Sequence, residues 1–204
     1  MIYRIEKKYR IDKSNKINFY SWLKEKNFKE IFDKRIVNSI YYDNINLQMY
    51  DNSIEGIVPR KKIRIRYYDD KKNYFKEEKL STVNGEFKET ISLDINKPLK
   101  NIIDQTYGIC QKVLNISYKR KYFLKNDIRI TFDENIVYQN LNNDLKYKES
   151  DNLNQCVIEF KCTNDKEFLK IKDEIPFDEI RFSKYTNAID YLKKNSYLTL
   201  KENF

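Results

Sequence analysis

Eight stretches of this chain alternate apolar and polar residues with a period of two, the spacing of a strand with one buried face. They are Ile2–Asp12, Ile36–Asp43, Arg60–Asp69, Tyr74–Ser81, Gly85–Ile91, Ser117–Leu124, Asp127–Phe132 and Gln155–Cys162. Helical spacing is rarer. Ser14 is placed to cap a helix running through Phe19, Tyr20, Trp22 and Leu23 to about Lys26. Asn46–Asp51 predicts one short turn, and Pro98 an early position of a helix through Ile102 and Ile103. Asp165–Glu174 puts Phe168, Leu169, Ile171 and Ile175 along one side and stops before Pro176. Ser183 then caps a last helix striped with Tyr185, Ala188, Ile189 and Leu192. Gln139–Asn154 is polar and reads as a loop, and no repeat, linker or composition break divides residues 1–204, which read as a single domain. Strands outnumber helices without strand–helix–strand alternation, so the fold class is α+β: an antiparallel sheet or barrel with helices packed outside it.

The polar halves of these strands are unusually rich in charge. Arg60, Lys62, Arg64 and Arg66 share one face of their strand, against Ile63, Ile65 and Tyr67 on the other. In the first strand Arg4, Glu6, Lys8 and Arg10 oppose Tyr3, Ile5, Tyr9 and Ile11. Glu159 and Lys161 oppose Ile158 and Phe160, and Arg129, Thr131 and Asp133 oppose Ile128, Ile130 and Phe132. An open sheet with its charged face in water satisfies this pattern. So does a closed sheet whose charged faces line a tunnel while helices cover the apolar outside. Closure removes sheet edges but crowds like charges: two cations about 6 Å apart repel by roughly 3 kcal/mol at an effective dielectric near 20. Such a lining needs acids, counterions or a polyphosphate to balance it.

Composition narrows the chemistry. Lys and Arg number 40 against 31 Asp and Glu, a formal charge of +9, which favours polyanionic partners over neutral ones. The abundance of Lys, Asn, Ile and Tyr is also what an AT-rich genome produces, so the placement of the cations carries more weight than their number. No block of five or six basic residues resembles a nucleic-acid arm, and no RNP-type Gly/aromatic motif accompanies Tyr67-Tyr68 or Tyr122-Phe123, so nucleic acid is not the expected partner. The chain has no histidine, which excludes His-based triads, His-ligated zinc and imidazole acid–base chemistry. Cys110, Cys156 and Cys162 form no CxxC pair and read as reduced thiols of a cytoplasmic protein. No apolar run approaches the roughly 20 residues that cross a bilayer, and the start MIYRIEKKYR lacks a signal-peptide core.

Eight short motifs then occur in order. They are Arg4-Ile5-Glu6-Lys7-Lys8-Tyr9-Arg10, Val37-Asn38-Ser39-Ile40-Tyr41-Tyr42-Asp43 and Lys62-Ile63-Arg64-Ile65-Arg66. Lys76-Glu77-Glu78-Lys79, Tyr118-Lys119-Arg120, Arg129-Ile130-Thr131-Phe132-Asp133, Val157-Ile158-Glu159-Phe160-Lys161 and Ser183-Lys184-Tyr185 complete the set. In this order the chain resembles the VTC (vacuolar transporter chaperone) polyphosphate polymerase domain, of the CYTH-like triphosphate tunnel metalloenzymes.

The resemblance implies a closed eight-stranded antiparallel β-barrel with a charged interior. It implies Arg64, Arg66, Lys79, Arg120 and Lys184 as catalytic cations, and Lys8, Arg129 and Lys161 as further phosphate ligands, with Lys88 added by its place in the strand after Gly85. Glu159 resembles the family's metal-holding carboxylate, for Mn²⁺ or Mg²⁺. Arg10, Arg60 and Lys62 share the inward parity without matching a contact. The hydrolytic and cyclase branches of the group begin Glu-x-Glu-x-Lys. Here the strand reads Arg4-x-Glu6-x-Lys8, which fits the polymerase branch better and leaves Glu6 as either a metal contact or a structural ion pair. Glu77 beside Lys79 has the same two readings, and Asp133 is placed to tune Arg129. The implied reaction passes the γ-phosphoryl group of ATP to a polyphosphate chain, with a membrane-attached protein as partner, since the chain has no span of its own. A binding-only polyphosphate or nucleotide sensor, and an inorganic triphosphatase, are the alternatives.

Overall fold

A computed structural model describes residues 5–69, 73–94, 96–141, 148–150, 155–163 and 165–194. In chain order the elements are β1 (Ile5–Asp12), α1 (Lys16–Glu25), β2 (Lys29–Asp43), α2 (Gln48–Glu55), β3 (Arg60–Tyr68), β4 (Tyr74–Thr82) and β5 (Gly85–Leu93). There follow β6 (Asn101–Asp104), β7 (Gly108–Lys125), β8 (Ile128–Asn140), β9 (Lys148–Ser150), β10 (Gln155–Cys162), α3 (Asp165–Lys172) and α4 (Lys184–Lys194). They fall into two compact units. One comprises Met1–Ile36, Tyr118–Ile136 and Ser150–Phe182, the other Val37–Ser117, Val137–Glu149 and Ser183–Phe204.

In the first unit the hydrogen-bonded strand order is β1-β10-β8-β7-β2. Odd positions of β1 and even positions of β8 and β10 send Tyr9, Ile11, Ile128, Ile130, Phe132, Ile158 and Phe160 to one face, where Phe19, Trp22 and Leu23 of α1 and Phe168 and Ile171 of α3 bury them. Helix α1 ends as its sequence requires. Asn27 takes a left-handed φ of 59°, Phe28 N–H returns to the Leu23 carbonyl at 2.9 Å, and the Phe28 ring stacks on Trp22. The outer edge of β1 meets Glu179 and Ile180, whose N–H donates to the Lys8 carbonyl at 2.8 Å.

In the second unit the order is β7-β2-β3-β4-β5, with β6 on β7 and β9 on β8. Ile40, Tyr42, Ile63, Ile65, Tyr74, Ile102 and Cys110 make its core with Met49 of α2. Strand β5 is its exposed edge, guarded by Glu86, Lys88 and Glu89.

Several expectations are corrected. Among the described strands the ladders run as one path from β1 to β5, with β6 and β9 attached to it, and no β1–β5 pairing that would close the expected barrel is among them. The helix expected after Pro98 is β6. Asp104 accepts from the Thr106 and Tyr107 N–H groups, Gly108 adopts a φ of 70°, and this tight turn returns the chain so that Ile102 pairs with Cys110. Residues 13–15 form a 3₁₀ turn before α1, and no side chain caps it, so Ser14 is not the cap. The short turn expected at Asn46–Asp51 is α2, shifted and longer. Strands β2, β7 and β8 outrun their alternating segments, and β8 takes up part of the expected loop; residues 142–147 and 151–154 lie outside the described set. The three cysteines are buried and form no disulfide.

Candidate functional site

The face of each unit opposite its core collects the charged residues. In the first unit the register places Glu6 opposite Lys161 and Lys8 opposite Glu159, then Glu159 opposite Thr131 and Lys161 opposite Arg129. Lys161 Nζ lies 3.1 Å from Glu6 and 3.1 Å from Glu159, and Lys8 Nζ lies 3.1 Å from Glu6 while donating to the Phe182 carbonyl at 3.0 Å. Arg120 grips Asp133 with both arms, at 2.5 and 2.7 Å, and reaches Glu159 at 3.9 Å. Burial pushes Glu159 up, but Lys161, Arg120 and Lys8 outweigh it and hold the carboxyl well below its ordinary range. Arg120 is likewise penalised by burial, yet Asp133 holds its guanidinium well above its ordinary value. The cluster sets four cations and three carboxylates against one another on one face.

The second unit builds a more lopsided cluster. Neighbouring strands set Tyr41 opposite Arg64, Arg64 opposite Glu77 and Glu77 opposite Thr90, with Lys62, Lys79 and Lys88 forming the next row. Glu77 receives Arg64 at 2.7 and 2.6 Å, Lys88 at 2.6 Å and Arg66 at 3.4 Å. Burial opposes ionisation of Glu77, but Arg64, Arg66 and Lys88 pull its pKa down to about 2. Lys88 does not gain correspondingly: burial, with Arg66 and Arg64 beside it, lowers its pKa despite the contact with Glu77. The two partners respond differently because the arginines do most of the work on Glu77, which leaves Lys88 as surplus charge. Arg66 Nε and Ser39 Oγ, on paired residues, are buried with no hydrogen-bond partner among the described residues. The core side of the same strands is balanced instead, Lys61 and Lys76 against Glu78 and Asp104.

The sequence profile of the VTC domain matches residues 3–109 and 94–193. The chain belongs to the VTC domain family. A search of curated proteins returned no match. Among solved structures, a candidate adenylate cyclase from Vibrio parahaemolyticus is 13% identical with a TM-score of 0.60, over 92% of this chain and 98% of that one. Another from Bacillus halodurans is 14% identical with a TM-score of 0.54, over 98% and 94%. A candidate adenylyl cyclase from Hippeastrum, described as having a dominant triphosphatase activity, is 13% identical with a TM-score of 0.51, over 99% and 100%. These likenesses show that the VTC chain shares its fold with those three proteins.

Of the residues that the VTC resemblance singles out, Lys8, Arg120, Glu159 and Lys161 meet around Glu6 and Asp133, with Arg129 facing Lys161 across the ladder. Arg64, Arg66 and Lys88 meet on Glu77, whereas Lys79 reaches Glu86 at 2.6 Å. Lys184 opens α4 beside Ser183, whose Oγ accepts from Lys62 at 3.0 Å and from the Thr186 N–H at 3.4 Å, the cap expected of it. Asp133 receives both arms of Arg120; Arg4 lies outside the described residues. Sequence reasoning missed Tyr41, which accepts from Arg64 at 2.8 Å and stacks on Tyr185. It also missed buried Asp43, which accepts N–H bonds from Asn44, Met49 and Tyr50 and the Tyr185 hydroxyl at 2.6 Å, tying β2 to α2 and α4. A carboxylate a few residues before a helix was the available signal.

Proposed function

We propose that this VTC-family protein is a metal-dependent phosphotransferase of the polyphosphate polymerase type. The observation that carries the reading is the unbalanced cluster on Glu77: three cations to one carboxylate, a lysine lowered by its neighbours, and a buried guanidinium Nε–H with no acceptor among the described residues. A phosphate oxygen supplies the missing acceptor and the missing negative charge. Arginine suits this through its planar fork of donors, lysine through its compact charge.

The reaction consists of attack by a terminal oxygen of a polyphosphate chain on the γ-phosphorus of ATP. A new P–O–P bond forms, the bond to ADP breaks, and ADP leaves with the electron pair. Protein work here is neutralisation and alignment, for which no strong base is required. Arg64, Arg66 and Lys88 hold phosphate oxygens, as do Lys79 and Lys184. Arg120, Arg129, Lys161 and Lys8 do the same on the other unit's face. Among the described residues no group of three or more metal-ligating side chains occurs. Glu159 and Glu6, which share Lys161, nevertheless fit a divalent ion, because Mg²⁺ is commonly held by one or two carboxylates plus substrate phosphates. Mn²⁺ or Mg²⁺ there would neutralise phosphate charge.

Incubation with ATP and Mn²⁺ tests the reading: polyphosphate growth with ADP release is expected, lost in Arg64→Ala and Glu159→Ala. Orthophosphate release without growth would make the protein a triphosphatase, and binding without turnover would make it a sensor.

A further inference from the structure

Next to the phosphate ligand Arg120, the first unit carries Phe32, Tyr122 and Arg35, which none of the chemistry above uses. On β7, Tyr118, Arg120 and Tyr122 alternate onto one face, the Arg120 guanidinium lying 5.1 Å from the Tyr118 ring and 6.0 Å from the Tyr122 ring. Tyr122 meets Phe32 of β2 edge to face at 5.6 Å. Arg35 lies over both rings, at 5.0 Å from Phe32 and 5.9 Å from Tyr122. Phe32 is 50% exposed, a large apolar ring left partly in water. Beside it Glu30, Ile31, Phe32, Asp33 and Arg35 line an open cleft of about 580 Å³.

We infer that Phe32, Tyr122 and Arg35 form a stacking platform for the nucleobase of the phosphoryl donor. This deepens the reading of the protein as an ATP-using phosphotransferase and rests on it. Three features point to a base. The exposed Phe32 ring and the Arg35 guanidinium plane, backed by half-buried Tyr122, can stack on any nucleobase, and such contacts are strong enough to matter in binding. The platform continues the row that holds Arg120, and residues two apart on a strand stand about 7 Å apart, a separation a ribose bridges. Asp33 at the cleft offers a carboxylate acceptor, which suits the exocyclic amino group of adenine, while Glu30 beside it is paired with Lys121. The platform thus selects a nucleoside triphosphate over bare tripolyphosphate, while the cations serve both.

Titration calorimetry of the wild type, Phe32→Ala, Tyr122→Leu and Tyr122→Phe with ATP and, separately, with tripolyphosphate tests this. Phe32→Ala and Tyr122→Leu are expected to weaken ATP roughly tenfold, the low end of what stacking supplies, and to leave tripolyphosphate within twofold. Tyr122→Phe, which keeps the ring, is expected to behave as wild type. ATP binding unchanged in Phe32→Ala and Tyr122→Leu overturns the platform and leaves the phosphate reading standing. A wild type that binds neither ligand overturns both. Equal losses for both ligands make the rings structural and also overturn it.

Discussion

Replacing Glu77 with Gln removes the carboxylate that Arg64, Arg66 and Lys88 share, without changing the shape of the side chain. In the native protein Glu77 is 7% exposed and its pKa lies at about 2 instead of 4.5. A tenfold change in an ionisation constant corresponds to about 1.4 kcal/mol, so the ionised carboxylate contributes up to roughly 3 kcal/mol. The figure falls to about 2 kcal/mol once solvent screening is allowed for, because Lys88 is 48% exposed. The variant also leaves three cations facing one another. For a chain of this size Glu77→Gln is therefore expected to lower Tm by about 4–8 °C at neutral pH in phosphate-free buffer. The direction with pH follows from the depressed pKa. The contribution is complete above the ordinary carboxylate range and is lost as pH falls toward about 2, so wild type and variant converge in acid. Tripolyphosphate replaces the missing negative charge, so the same concentration should raise the variant's Tm more than the wild type's. Thermal unfolding across tripolyphosphate concentrations at pH 7 measures both effects. A variant that melts with the wild type at neutral pH, or gains no more from the anion, would refute the view of Glu77 as a stand-in for phosphate charge.

Three further outcomes follow from the geometry. Asp133→Asn leaves the buried Arg120 without its bidentate carboxylate and is expected to cost about 3 kcal/mol in urea unfolding, whereas Asp133→Leu combined with Arg120→Met removes both buried charges together and costs less. Tyr185→Phe keeps the ring on Tyr41 but deprives buried Asp43 of one of its donors, an expected loss of about 1–2 kcal/mol by the same assay. Glu159→Gln should abolish metal-dependent turnover while ATP binding measured without metal stays within a few-fold, which calorimetry and product analysis separate.

The fold and the candidate site were legible to different depths. The strands Arg60–Tyr68 and Gln155–Cys162 follow their alternating segments almost residue for residue, because a pleated strand with one buried face forces period two onto its own sequence. The same rule put Arg64 and Arg66 on one face and Ile63 and Ile65 on the other, and split Lys76-Glu77-Glu78-Lys79 so that Glu77 and Lys79 share the site face. Where the chain is paired on an exposed, polar stretch, as in the first half of β2, no alternation announces the ladder, and in β8 the polar run Asp133-Glu134-Asn135 interrupts it beyond Phe132 although the strand stays largely buried. The ending of β8 could not be read locally for that reason.

Sequence alone therefore determined which side chains share a face and that the charged faces would be crowded with cations, since both follow from neighbours two residues apart. Only the tertiary structure decided which acid answers which cation or hydroxyl: Glu77 for Arg64 and Arg66, Asp133 for Arg120, Asp43 for Tyr185. It also turned the residues after Pro98 into a strand, because β7 offered Ile102 a ladder that local propensity does not foresee. Those choices depend on register between strands distant in the chain, and a register is set by the cooperative fit of whole faces, not by any segment's own pattern.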